Sequence, residues 1–188
     1  ATHQVTEWLL PLARLRHLPL LHHLVGHDTR ADGSHDATSD WAVGALMLIP
    51  ADAYRAVGGM DESFYMNCEE VDLQRRLRDL GLPTVILGGL AATHEGGGSS
   101  EPTRRLGWVR DGRRRYTYKW QGRAGVARLE AGLLAATSVN FLWNVARRTA
   151  GSKVRPFAVA REQAALVTHP ERWVPAANRF RPVAGARP

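Results

Sequence analysis

Cysteine is almost missing from this chain: Cys68 is the single one among 188 residues, so no disulfide can form within it. That usage fits a reducing compartment. No stretch reaches the roughly 18 apolar residues that a membrane-crossing helix needs. No segment repeats, and no Asp-x-Asp pair occurs anywhere. The opening ATHQVTEWLLPLARLRHL has no apolar run ending in a small-residue cleavage site, and the natural start is expected upstream of Ala1.

What is present describes an ordinary folded core. Hydrophobic residues make up 44% and charged residues 23% of the chain. Its 25 Lys and Arg against 18 Asp and Glu give a formal net charge of +7, which points to an anionic partner. Nucleic acid, a membrane surface and a phosphorylated substrate all answer to that description, and charge alone does not choose among them.

Three segments are expected: a helical and loop lead-in over 1–40, an α/β portion over 41–103, and a basic, mainly helical extension over 104–188. In WAVGALMLIP, residues 41–50, both alternating sets are apolar, as in a strand buried inside a sheet, and Pro50 ends it. ADAYRAV predicts a short helix stopped by Gly58 and Gly59. From Glu69, the spacing of Leu73, Leu77 and Leu80 predicts a helix closed by Gly81 and Pro83, and Thr84–Leu87 reads as a strand. A long helix is predicted from Ala124 to Arg148, and the proline-bearing residues after 169 read as loosely ordered.

The chemistry concentrates in GGMDESFYMNCEEVDLQRRLRDLG, residues 58–81. Asp72 lies three and four residues before Arg75 and Arg76, within reach of either, which makes it a structural carboxylate with Arg76 in support. Glu69 and Glu70 then remain at the rim between core and solvent. A carboxylate in a helix's first turn is held ionised by unpaired N–H groups, and at a pocket edge it serves as a general base. Against this stands the plain fact that acids favour helix N-termini, with Asp61 and Glu62 as loop charges.

The order of the pieces resembles the acceptor half of a family 2 glycosyltransferase of the GT-A, Rossmann-like fold, in its rhamnosyltransferase-like branch. The motifs are Trp41 and Gly44 on a Trp-x-x-Gly-Ala strand, the Gly58–Glu62 turn, the Glu69–Leu73 helix start, and His94 followed by glycines and Ser99. The likeness is close over 40–100. It implies Glu70 as catalytic base with Glu69 beside it, and Trp41, Gly44, Asp61 and Glu62 on the acceptor side. It implies His94 as a ligand to a divalent metal, Mn or Mg, with the rest of the metal site on an upstream Asp-x-Asp. The chain departs from the family in having Glu-Glu where Glu-Asp is usual. The extra methylene moves the carboxylate outward, and misplacement by about 1 Å costs about 100-fold in rate. Met60 in place of the usual Phe conserves volume.

The implied reaction is inverting transfer of a sugar such as rhamnose from a nucleotide-sugar to a cell-envelope glycan or lipid-linked acceptor. The implied setting is the cytoplasm, peripheral at the inner face of the plasma membrane. No leading βαβ pattern is present to bind the nucleotide, so the donor half is expected upstream. The rival is a non-catalytic remnant, or a subunit of a split enzyme, that binds acceptor or membrane without its own donor site.

Other features have narrower readings. His17, His22, His23 and His27 have no cysteine partner and no His-Glu-x-x-His pattern, so they read as helix and loop residues. Gly96–Gly98 lacks the Lys-Ser/Thr of a phosphate loop and reads as a mobile loop. Arginines 104, 105, 113, 114, 115 and 123, with Lys119, interleave with Trp108, Tyr116, Tyr118 and Trp120. That block fits single-stranded nucleic acid, an anionic membrane surface or a lipid-diphosphate acceptor equally well, and the helix after it fits an interfacial helix or a packed helix with a solvated basic edge; the resemblance implies the membrane surface in preference to nucleic acid.

Overall fold

A computed structural model describes residues 5, 7–9, 34–93 and 102–178. Most of the expected lead-in, the histidine cluster, His94, the Gly96–Gly98 loop, Ser99 and Ser100 lie outside these residues. The described elements are β1 (Ala37–Ser39), α1 (Ala51–Ala56), α2 (Glu69–Asp79), β2 (Thr84–Ile86), α3 (Pro102–Thr149) and α4 (Pro156–Thr168). Two short 3-10 turns follow, Pro170–Trp173 and Ala176–Asn178. Gly122 has non-helical torsions (φ 66°, ψ −166°) and divides α3 into two helices.

The chain forms two compact units, and their boundary falls inside α3 between Tyr116 and Thr117. The first is built on Thr117–Arg172. Leu129, Leu133 and Val167 are fully buried there, with Val5 and Trp8 packed against them. Each such side chain contributes about 2 kcal/mol of burial. The buried stripe of α3 continues through Thr137, Asn140 and Asn144, where Asn144 Nδ2 has no hydrogen-bond partner. Trp8 Nε1 donates to Thr137 Oγ1 (3.0 Å), and Asn140 Nδ2 donates to the Trp8 carbonyl (2.9 Å) and to Gln163 Oε1 (3.2 Å).

The second unit comprises the described parts of Asp28–Tyr116 and Trp173–Phe180. Its sheet, among the described residues, has two antiparallel strands, with Ala37 opposite Ile86, Thr38 opposite Val85 and Ser39 opposite Thr84. Strand β2 falls where the sequence predicts one. The expected strand over 41–49 does not form: these residues have no regular structure apart from a turn at Gly44 and Ala45, and β1 forms just before them, in the expected lead-in. Val43, Leu46 and Leu48 are 65%, 77% and 95% exposed. A strand apolar on both faces needs a neighbour on each side, and the two-stranded sheet offers none.

Helix α1 ends at Gly58 and Gly59, which take φ of 76° and 73°; Gly59 N–H bonds back to the Tyr54 carbonyl at 2.9 Å. Helix α2 ends one residue short of Leu80, which is exposed, so the apolar stripe is carried by Leu73 and Leu77. Residues 170–178 carry the two 3-10 turns, where the sequence suggests loose order; the rest of that expectation falls outside the described residues. Val174 is buried, and the Asn178 carbonyl accepts a hydrogen bond from Arg115.

Candidate active site

The carboxylates at residues 69 and 70 stand at the start of α2, and the backbone that delivers them is bent unusually. Asn67 and Cys68 both lie in the left-handed region, with φ of 66° and 71°. Each non-glycine residue held there costs about 1 kcal/mol, so the surrounding packing must impose it. Gly112 of α3 supplies that packing. A Cβ at residue 112 would collide with the Asn67 carbonyl oxygen and lie 2.9 Å from that of Met66. The turn before the carboxylates therefore rests directly on helix backbone.

Cys68 caps α2 without a side-chain hydrogen bond, and the Asp72 N–H closes the first turn on the Cys68 carbonyl at 2.9 Å. Burial pushes the Cys68 thiol up to about 12, with Glu70 and Glu69 adding to the shift and Arg113 and Arg110 opposing it. Those two arginines of α3 thus contribute positive charge beside the carboxylate turn. Nothing in the sequence distinguishes them from the other arginines nearby.

Glu69 and Glu70 are both partly buried, and each has a buried Oε2 that accepts no hydrogen bond. Burial holds the Glu69 carboxyl above the usual carboxylate range; the Glu70 charge pushes the same way, and a bond to its own backbone N–H opposes both. A carboxylate oxygen removed from water and left unbonded is costly, and it is ready to accept a proton or a donated hydrogen bond.

The segment that holds Trp41 and Gly44 is brought to Glu70 by a residue the sequence did not single out. Gln74, buried on α2, accepts from the Ala42 N–H (2.7 Å) and donates to the Ala42 carbonyl (2.8 Å). It also donates to the Glu70 carbonyl (3.0 Å) and accepts from Thr84 Oγ1 (3.1 Å). One amide thus joins the 41–44 segment, the start of α2 and strand β2, and every polar position it has is used. Its bonds to Ala42 take the place of the ladder that the expected strand would have made. Two residues on, Gly44 abuts the catalytic candidate: a Cβ there would sit 3.0 Å from Glu70 Cβ and 3.2 Å from Cγ.

Asp72 is fully buried, and its Oδ2 accepts from Arg76 Nε at 2.9 Å. Arg76 also donates to the Val57 carbonyl, which ties α2 to the end of α1. Arg75 turns instead to Tyr116, with Nη1 3.3 Å from its hydroxyl. Asp61 is engaged in its own turn, where Oδ1 accepts from the Ser63 N–H at 2.9 Å. Glu62 and Trp41 are exposed. Of the expected site residues, Gly44 and Glu70 meet directly. Asp61 is taken up by structure, and His94 lies outside the described residues.

The arginine and aromatic block is partly internal, and Arg104 and Arg123 are its exposed cations. Arg110 and Arg115 are buried, and Arg115 Nε pairs with Asp111 Oδ2 at 2.8 Å. Its other nitrogens donate to the carbonyls of Ser63 and Asn178, closing the 61–64 turn. Trp108 packs edge-on against Tyr65, with ring centroids 5.7 Å apart.

Among the described residues, no group of three or more His, Cys, Asp or Glu side chains is placed to hold a metal ion. The chain matches no protein-family model, no curated protein and no solved structure.

Proposed function

We propose that this chain is the acceptor-side part of an inverting glycosyltransferase of the family 2, GT-A type. Glu70 is its general base and Glu69 the supporting carboxylate. The observation that carries this reading is the seating of Glu70 against Gly44, with an unbonded carboxylate oxygen on each of two adjacent glutamates. The acceptor hydroxyl gives its proton to Glu70 as its oxygen bonds to the anomeric carbon from one face. The bond from that carbon to the nucleotide diphosphate breaks on the other face, and the electron pair leaves with the diphosphate. The donor nucleotide and the divalent metal belong, in this reading, with an upstream Asp-x-Asp segment. The sugar, such as rhamnose, goes to a cell-envelope glycan or lipid-linked acceptor.

The test is a transfer assay on the whole protein with a panel of nucleotide-sugars, comparing Glu70→Gln and Glu69→Gln. Glu70→Gln is expected to abolish transfer with nucleotide binding nearly intact, and Glu69→Gln to keep measurable transfer. Activity in Glu70→Gln together with its loss in Glu69→Gln would reverse the two roles. Binding of glycan without transfer from any donor, by every form of the protein, would favour the acceptor-binding remnant.

A further inference from the structure

The outward face of the second half of α3 is built unlike a helix that faces water. From residue 131 to 146 the exposed positions are Ala131, Leu134, Ala135, Ser138, Val139, Leu142, Val145 and Ala146. No charge interrupts them, and the one hydroxyl, on Ser138, is turned back to the Leu134 carbonyl at 3.2 Å. Successive residues advance by about 100°, so these positions cover the side opposite Leu129, Leu133 and Asn140. The helix is therefore apolar outside and partly polar inside, the reverse of the usual arrangement. Leu142 is 66% exposed. Phe157 of α4 extends the patch at 78% exposure, with its ring edge-on to Phe141 at 5.0 Å.

The charges around this patch are nearly all of one sign. Between residues 121 and 168 the exposed charged side chains are Arg123, Arg128, Arg148, Lys153, Arg155 and Arg161, against the single acid Glu162. Arg123 and Arg128 precede the apolar band, Arg148 follows it, and Arg161 stands one turn after Phe157. A second copy of the chain would bring like charges together. Nucleic acid would leave Leu142, Val145 and Phe157 against a phosphate backbone. An anionic bilayer surface satisfies both features, because the apolar side chains enter the acyl boundary and the cations meet the headgroups. Among the described residues no helix is long and apolar enough to cross a membrane, so the helix lies in the surface plane.

We propose that the exposed face of α3 from Ala131 to Ala146, with Phe157, is a docking surface for an anionic lipid bilayer. This surface belongs to the Thr117–Arg172 unit and is independent of the carboxylate site.

The test is co-sedimentation of the full chain with vesicles of phosphatidylcholine, with and without 30% phosphatidylglycerol (on the order of a natural anionic fraction). Binding is expected only to the anionic vesicles. Leu142→Glu should weaken it about tenfold or more, since it replaces an inserted leucine by a charge. Lys153→Glu with Arg155→Glu should weaken it at least roughly 25-fold, about fivefold for each cation lost. All of these positions are exposed, and an unchanged circular dichroism melt shows that the variants fold. The proposal is overturned by equal binding to neutral vesicles or by full binding of Leu142→Glu. A loss in Arg104→Glu as large as that in the double variant would also overturn it, as would tighter binding to a single-stranded oligonucleotide. So would a stable dimer that Leu142→Glu dissolves while vesicle binding is absent.

Discussion

Gln74 and Ala42 are joined by a reciprocal pair of hydrogen bonds, 2.7 Å from the Ala42 N–H to Oε1 and 2.8 Å from Nε2 to the Ala42 carbonyl. This side-chain clamp, 32 residues across the sequence, sets Gly44 against Glu70. Gln74→Leu keeps the side chain's approximate size and deletes all of its bonds, leaving part-buried backbone groups unpaired. A loss of about 2–3 kcal/mol is expected. Chemical denaturation measures it, and hydrogen exchange at the Ala42 amide should accelerate with it. A loss under roughly 0.5 kcal/mol would mean that other contacts hold the segment.

Gly112 holds the bend before the carboxylates by letting helix backbone approach Asn67. Gly112→Ala is favourable by helix propensity alone, by about 1 kcal/mol. Here it should instead destabilise the protein by about 1–3 kcal/mol, because the new methyl meets the Met66 and Asn67 carbonyls. The sign of the change in melting temperature decides between these outcomes.

Burial of Cys68 should make it slow to alkylate in the native protein. A shift from 9.0 to about 12 lowers the thiolate fraction near pH 8 about a thousandfold. The greater nucleophilicity of the more basic thiolate restores roughly 20-fold. Labelling by iodoacetamide is therefore expected to be at least about 50-fold slower than for the unfolded chain. Equal rates in the two states would place the thiol in solvent.

The raised Glu69 carboxyl carries a stability consequence with a definite sign. The folded chain holds this proton more tightly than the unfolded chain does, so the contribution is fully present below the ordinary value of 4.5 and is lost as pH rises through the raised one. Glu69→Gln removes this dependence. Its stability relative to the unaltered protein should accordingly rise as the pH is taken upward from about 4. A difference that stays flat with pH would show that Glu69 is solvated.

Much of the chain's local structure is legible in its residues. Helix α2 follows from Leu73 and Leu77 and is closed by Gly81 and Pro83; β2 follows from its β-branched run; α1 stops at its two glycines. The segment after Asp40 was not legible, because alternation of apolar residues reports what a strand would bury and not whether neighbouring strands exist. Gln74 was invisible for a related reason. A glutamine in a helix between acids and arginines looks like a solvated residue until the 41–44 segment is folded onto it. Arg115 was hidden among like neighbours, since helical phase alone does not say which member of an arginine run turns inward. In the helix beyond Gly122 the apolar residues are plain in the sequence, yet only packing shows that Leu133 is core and Leu142 is surface.

The carboxylate at residue 70 is tested most directly by replacing it with glutamine and with aspartate and measuring turnover and nucleotide affinity on the whole protein. Removal of a general base costs about 10²–10⁴-fold in rate. Glu70→Gln should fall by that amount with nucleotide affinity unchanged within about twofold, while Glu70→Asp, which keeps the charge, retains transfer. Transfer by Glu70→Gln at the unaltered rate would contradict the assignment of Glu70 as the base.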